Sequence, residues 1–145
     1  MRLWHKDLLP YLPDRQFKGQ LRELVAIMRD WRDKGKTNHL LINRVMDYPK
    51  SHLFAYFLDY VIEYEKRYEK PISIDICVEF TMFCGTYRYV DEVFKDWHDR
   101  KYLKICMANL YEKHKYGVGN SRITDNEWAK LLEGYENITG EFYKI

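Results

Sequence analysis

The clearest pattern in the chain is an apolar stripe that runs through residues 14–31. Apolar side chains recur there at steps of three, four and one: Phe17, Leu21, Leu24, Val25, Met28 and Trp31. This spacing follows the 3.6-residue period of an α-helix, so it predicts a helix with one side against a core. Asp14 can cap its first turn, and Gly35 is a natural residue just beyond its last turn.

Two further helices are predicted in the middle of the chain. Thr37 can cap a short second helix over residues 38–46, because its hydroxyl can accept from a free N–H group of the first turn. Ser51 stands in the same place before a long third helix over residues 52–70. The apolar residues of this third helix recur at helical spacing, and the proline that follows it ends the pattern.

The second half of the chain predicts two more helices and contains one ambiguous stretch. Asp99 can cap a helix over residues 100–116, and Thr124 forms a capping box with Glu127, a specific signal for the start of a last helix. Residues 72–82 alternate apolar and polar side chains, as a half-buried strand does. Because no second clear strand is available to pair with them, we favour helical or irregular structure there.

The first thirteen residues predict an extended segment that packs on the rest of the protein. Pro10 and Pro13 disfavour a helix, and the many Leu, Trp and Tyr residues are too apolar to remain in water. We therefore expect a mostly α fold: one compact domain over residues 1–145, with four to five helices and an extended N-terminal segment.

Composition supports a folded protein and excludes several classes. Hydrophobic residues make up 46% of the 145 residues and charged residues 32%, which is typical of a globular domain. The net charge is only +2, so affinity for a polyanion must come from local clustering of cations. There is no apolar run long enough to span a membrane and no recognisable signal peptide.

Cysteine and histidine spacing gives no support for a disulfide framework or a metal site. The three cysteines form no C-x-x-C pair, which fits reduced thiols and a cytoplasmic protein. The five histidines are scattered without metal-ligand spacing, and no phosphate-binding glycine loop or G-x-S-x-G motif is present. We therefore expect no metal and no cofactor.

A basic stripe lies on a second face of the first predicted helix. Arg15, Lys18, Arg22 and Arg29 recur at i, i+3, i+7 and i+14, and Glu23 stands beside this stripe. An acid among cations can serve as a catalytic carboxylate between phosphate-binding groups. The same pattern is also typical of a solvated helix face with mixed charges.

The same helix resembles a known family of enzymes. Its pattern D-x-x-F-x-x-x-x-R-E-L, from Asp14 to Leu24, is similar to that of the phage-type pyrimidine-dimer DNA glycosylases, the endonuclease V family. Bacterial relatives that open with M-R-L-W-H-x-D-L-x-P-Y-L-P and carry Q-L-x-G-Q-x-R-E are closer still. The corresponding segments here are residues 1–13 and 16–23, so the close match covers about the first 25 residues.

The resemblance implies a helical single-domain enzyme that flips a nucleotide out of double-stranded DNA. In that family the α-amino group attacks the sugar C1′, releases the base, and forms a Schiff base that undergoes β-elimination. Here the amine belongs to Met1, and Glu23 is the assisting glutamate. Arg2 and Arg22 would hold phosphates. The enzyme would be a DNA glycosylase with apurinic/apyrimidinic lyase activity, a monomer in a bacterial or phage-infected cell.

Several positions depart from the family pattern. The phage enzymes begin with threonine, whereas Arg2 here favours retention of Met1. A family arginine is replaced by Ala26, the glutamine-histidine after the family aspartate reads Arg15-Gln16, and the aromatic C-terminal segment is reduced to Phe142-Tyr143. These changes affect contacts with DNA more than the chemistry, so the substrate could be a pyrimidine dimer or another modified pyrimidine.

Two other functions fit the sequence. A non-catalytic helical DNA-binding module would use the same cations as a phosphate footprint and tyrosines for stacking: Arg2, Arg15, Lys18, Arg22 and Arg29. A helical protein-interaction domain would instead use its aromatic residues, 17% of the chain, as a partner surface. The two would differ in the salt dependence of binding.

Overall fold

The computed structural model describes residues 2–145, which form five α-helices and three short 3-10 helices. No strand occurs among these residues, and the predicted mostly α fold is confirmed. The five α-helices are α1 (Asp14–Lys34), α2 (Lys50–Tyr68), α3 (Ile74–Cys84), α4 (Arg100–Lys115) and α5 (Asp125–Thr139). The 3-10 helices are Lys6–Tyr11, Ile42–Asp47 and Gly119–Ser121.

The chain divides into two compact units. The first contains Gln20–Trp97 together with Arg2 and Leu3, and the second contains Trp4–Gly19 and His98–Ile145. The first turns of α1 therefore belong to the second unit and the rest of the helix to the first. The single domain expected over residues 1–145 stays a prediction.

The first unit has a core built by α1, α2 and α3. Leu24, Ile27 and Met28 of α1 are fully buried. Phe57 of α2 stacks on Phe80 of α3 with ring centroids 3.9 Å apart, and both rings are excluded from water. Complete burial of such side chains contributes about 1.5–3 kcal/mol each to stability. The packing of these buried helix faces therefore stabilises the first unit.

The second unit packs the N-terminal 3-10 helix against α5. Tyr11 lies so close to Gly134 that a Cβ added to the glycine would clash with the tyrosine ring, so position 134 favours glycine. His98 stacks on Tyr102 and on His5, with ring centroids 4.9 and 5.2 Å apart. The predicted packing of the N-terminal segment thus occurs, but the segment is not extended throughout, because Lys6–Tyr11 form a 3-10 helix.

Two predicted helix caps, Asp99 and Thr124, agree with the structure, whereas Asp14 is the first residue of α1 rather than the residue before it. Asp99 accepts from the N–H of Tyr102 at 2.8 Å and caps α4. The capping box of Thr124 and Glu127 opens α5 with both reciprocal hydrogen bonds. α1 runs from Asp14 to Lys34, and Gly35 follows it with a φ of +71°, a conformation that glycine adopts easily.

Two predicted helix starts were wrong. Thr37 does not open a helix over residues 38–46; its backbone N–H donates to Asn43 Oδ1 at 2.7 Å, and a 3-10 helix begins only at Ile42. A local side-chain bond of this kind competes with helix formation. Ser51 does not cap α2 either, because the helix already begins at Lys50, directly after a proline whose fixed φ suits a helix start.

The ambiguous stretch is a helix in the structure. α3 covers Ile74–Cys84, so the strand-like alternation is not realised. Phe80 turns inward, while Ile74, Val78 and Met82 are exposed at intervals of four residues. One buried aromatic ring against α2, together with the lack of a partner strand, was enough to favour the helix.

Candidate active site

Glu23 lies on α1 with its side chain half-buried. No hydrogen bond or ion pair joins its carboxylate to any residue in the described range 2–145. The next turn of the helix places the small side chain of Ala26 on the same side. A half-buried acid without a protein partner can interact with a substrate.

Arg22 and Arg15 are the two cations of α1 that have no acidic partner in the described part of the chain. Both are exposed, and neither forms an ion pair with another residue of the described chain. A guanidinium without a carboxylate partner can bind a phosphate without first breaking an internal pair. These two of the predicted DNA-binding residues are therefore the best placed to meet a polyanion.

Lys18 and Arg29 already have acidic partners. Lys18 Nζ lies 3.2 Å from Asp14 Oδ2 in an exposed pair on the helix surface. Arg29 binds Glu79 of α3 through two hydrogen bonds, of 2.7 and 2.9 Å. These bonds from Arg29, with a further one from Arg32, lower the pKa of Glu79 to about 2. A phosphate at Arg29 would have to compete with this carboxylate.

A buried glutamine of α1 holds the start of the chain in place. Gln20 is 1% exposed, and its Nε2 donates to the backbone carbonyl of Arg2 at 2.9 Å. Its Oε1 accepts from the hydroxyl of Tyr56 on α2 at 3.3 Å. Both ends of the Gln20 amide thus have a hydrogen-bond partner. Gln20, which anchors Arg2, lies about one helical turn before Glu23. The predicted nucleophile residue, Met1, lies outside the described residues.

The position of Gln20 in the sequence indicates a buried residue, although its side chain is polar. Position 20 falls between Phe17 and Leu24 at steps of three and four, so it lies within the apolar stripe. A polar residue at such a position needs buried partners, because an unpaired buried amide costs free energy. Its partners, Arg2 and Tyr56, are 18 and 36 residues away, which the sequence alone does not reveal.

This region contains an acidic side chain, several cationic side chains and an N-terminal segment that a hydrogen bond holds. Among residues 2–145, no three His, Cys, Asp or Glu side chains are grouped as a metal ion requires. Within the same range, no helix has the length and apolar character needed to cross a membrane. A carboxylate and unpaired guanidinium groups on one helix are suited to binding a sugar-phosphate chain and stabilising positive charge on it.

Comparison with known proteins gives one match. The profile of the family described as pyrimidine dimer DNA glycosylase matches residues 1–74. These residues include all of α1 and α2, and hence Glu23, Gln20 and Tyr56. No curated protein and no solved structure matches the chain.

Proposed function

Because the chain belongs to the pyrimidine dimer DNA glycosylase family, we propose that it removes the damaged base and also cleaves the resulting abasic strand, with the α-amine of Met1 as nucleophile. One observation carries the proposal. Gln20 anchors Arg2, the residue next to the amine, and Glu23 stands on the same helix three positions later. Because the anchor of Arg2 and the carboxylate are on one helix, the amine would act close to Glu23.

The first step exchanges the base for the amine. An α-amine has a pKa of about 7.7–8.0, so a useful fraction is neutral and nucleophilic near pH 7.5, unlike a lysine. The nitrogen forms a bond to C1′ of the sugar while the bond from C1′ to the base breaks, and the departing base takes up a proton. Glu23 stabilises the positive charge that develops on the sugar during this exchange.

The second step cleaves the strand. The ring oxygen leaves C1′ and takes the proton that the nitrogen gives up, which forms an imine between Met1 and the opened sugar. A proton then leaves C2′ and the 3′-phosphate departs by β-elimination. Glu23 can carry one of these protons. Water finally hydrolyses the imine and restores the amine, so the cycle consumes no cofactor or metal.

The proposed substrate is a pyrimidine dimer, or another modified pyrimidine, in double-stranded DNA, and the protein acts as a monomer. The exposed Arg22 and Arg15 would bind phosphates on both sides of the lesion, with Arg2 nearer the reacting sugar. Lys18 and Arg29 would add to this footprint only after exchanging a carboxylate for a phosphate. Flipping the damaged nucleotide exposes C1′ and costs least where base pairing is already weakened.

Borohydride trapping tests the proposal directly. Untagged protein should form a covalent adduct with ultraviolet-irradiated duplex and with abasic duplex, because borohydride reduces the imine to a stable amine. Undamaged duplex is the control and should give no adduct. Peptide mapping should place the link at residue 1. An adduct with abasic duplex alone would limit the activity to the lyase step, and no adduct with any duplex would favour the non-catalytic DNA-binding module.

The anchor at Gln20 predicts a loss of rate that is larger than any loss of DNA binding. In Gln20→Leu the side chain keeps its approximate volume but loses the bond to Arg2, so the amine is no longer held near Glu23. A misplacement of about 1 Å can cost about 10²-fold in rate. We expect the single-turnover rate on abasic duplex to fall by about 10- to 100-fold, with a much smaller change in the dissociation constant for DNA.

A thermal melt accompanies this experiment, since losing the two bonds should cost about 1–3 kcal/mol of stability. The rate is therefore measured well below the melting temperature of Gln20→Leu. Ser51→Ala, a change on α2 outside the anchor, is the matched control. A folded Gln20→Leu protein with the wild-type rate would contradict the role of the anchor.

A further inference from the structure

The turn before the second 3-10 helix exposes two leucines that the fold does not use. Leu40 is 89% exposed and Leu41 is 50% exposed. Directly after them, Ile42 and Val45 point into the core and are 3% and 0% exposed. Leu40 and the exposed half of Leu41 together form a small apolar patch at the surface.

This turn is held rigidly rather than loosely. Thr37 is buried at its base, and its backbone N–H donates to Asn43 Oδ1 at 2.7 Å. The Asn43 side-chain amide donates in return to the Thr37 carbonyl at 3.2 Å. The N–H of His39 donates to the Thr37 hydroxyl, and the backbone N–H of Asn43 closes the turn on the His39 carbonyl. Leu40 and Leu41 therefore lie at the tip of a turn that these hydrogen bonds hold in place.

Cations flank the tip and acids are missing from its sequence. Residues 34–46 contain Lys34, Lys36 and Arg44 but no Asp or Glu. Lys36 is exposed and pairs with no residue of the described chain. Arg44 is exposed and lies over the ring of Trp97 at 5.5 Å. An apolar tip between cations is the arrangement expected of a surface that meets a nucleic acid.

We propose that Leu40 and Leu41 form a wedge that enters the base stack of duplex DNA while the flanking cations bind phosphates. The inference rests on the proposed function, in which the substrate is duplex DNA. Proteins that bend DNA often insert apolar side chains, leucine among them, between base steps. A wedge that fills the opened stack would favour extrusion of a nucleotide. Two leucines are too small a patch for a stable protein interface, which argues for DNA as the occupant.

Fluorescence of 2-aminopurine measures the opening of the stack. The duplex carries 2-aminopurine beside a thymine dimer, and every protein carries Glu23→Gln so that the DNA stays uncut. Binding of this protein should raise the fluorescence several-fold, because the unstacked base is no longer quenched. The further change Leu40→Ala with Leu41→Ala should abolish the rise at saturating protein. Ile62→Ala removes another aliphatic side chain, 65% exposed on α2, and should leave the rise intact.

Cleavage rates provide an independent comparison. With native Glu23, the double alanine variant should lose at least about tenfold in rate on a dimer in duplex DNA, where the stack must be opened. It should keep the wild-type rate on the same dimer in a single strand. Both leucines are exposed, so the melting temperature should hardly change. An equal loss on both substrates, or no loss on either, would overturn the wedge.

The results separate the wedge from the proposed chemistry. A fluorescence rise that depends on the leucines, without any borohydride adduct from the wild-type protein, would support the wedge and refute the glycosylase mechanism. An adduct from wild type, with the same fluorescence rise in the double alanine variant, would refute the wedge alone. Absence of DNA binding would refute both. Lys36→Gln should lower the slope of log affinity against log salt by about one if Lys36 binds a phosphate.

Discussion

Replacing Glu23 by glutamine is expected to abolish measurable turnover while the protein stays folded and still binds DNA. The amide keeps the size of the side chain but can neither stabilise a positive sugar by charge nor accept a proton. General acid–base catalysis alone is worth about 10²–10⁴-fold, so a loss in that range or above it is expected. Single-turnover cleavage of a duplex with one thymine dimer measures the rate, and fluorescence anisotropy measures the affinity.

The structure explains why folding should survive this change. The Glu23 carboxylate has no hydrogen bond or ion pair to another residue within 2–145, so the change to an amide breaks no such bond in that range. Glu65→Gln, which neutralises an exposed carboxylate on α2, is the matched control and should retain the wild-type rate. A Glu23→Gln protein that cuts at the rate of this control would refute the proposed role of Glu23.

Blocking the N-terminus should remove activity just as completely. Acetylation, or an added N-terminal tag, converts the α-amine of Met1 into an amide, whose nitrogen is not nucleophilic. A tag also moves the new chain start away from Arg2, the residue that Gln20 anchors. The trapped adduct and the cleavage of dimer-containing duplex should both vanish, whereas DNA binding should fall by much less. Gel analysis of borohydride-treated reactions measures the adduct.

The same tag at the C-terminus controls for its bulk and should leave the rate unchanged. Proteolytic removal of the N-terminal tag, with Met1 restored as the first residue, should return activity. An N-terminally acetylated protein that still forms the adduct would show that a lysine supplies the amine. In that case the family relationship would stand, while the nucleophile would have to be assigned again.

Much of the fold was predictable because its signals are local. The 3.6-residue period of α1, the cap at Asp99 and the box at Thr124 all lie within a few residues of the structure they specify. The prediction at Thr37 was wrong because it also rested on a local signal alone. Its hydroxyl satisfies the usual rule for a cap, yet its backbone bonds to Asn43, a partner that a cap rule does not consider.

The candidate site was only partly predictable, because its contacts join distant residues. The neighbours Arg22 and Glu23 were visible as an exposed cation and an acid on one helix. The pairing of Arg29 with Glu79 spans fifty residues, and no local pattern distinguishes Arg29 from the other cations. The role of Gln20 was not predictable for the same reason, because it depends on the position of Arg2 in the fold. Local periodicity describes a helix face, and tertiary packing decides which of its side chains remain available.

The histidine cluster at the N-terminal 3-10 helix makes the protein sensitive to acid. His5 Nδ1 accepts from the N–H of Asp7, and His98 Nδ1 accepts from the N–H of Lys6, so both rings must be neutral at that nitrogen. Burial lowers the pKa of His5 below its ordinary value, although the Asp7 carboxylate opposes this.

The lowered pKa of His5 sets the direction of this sensitivity. His5 stabilises the fold fully above the unfolded pKa of about 6.5, and the stabilisation is lost as the pH falls through the lower folded value. The proposed α-amine nucleophile is likewise neutral only towards alkaline pH. As the pH falls, the amine is therefore protonated first, and the N-terminal segment is destabilised only below about pH 6.5, so the chemistry should fail before the fold.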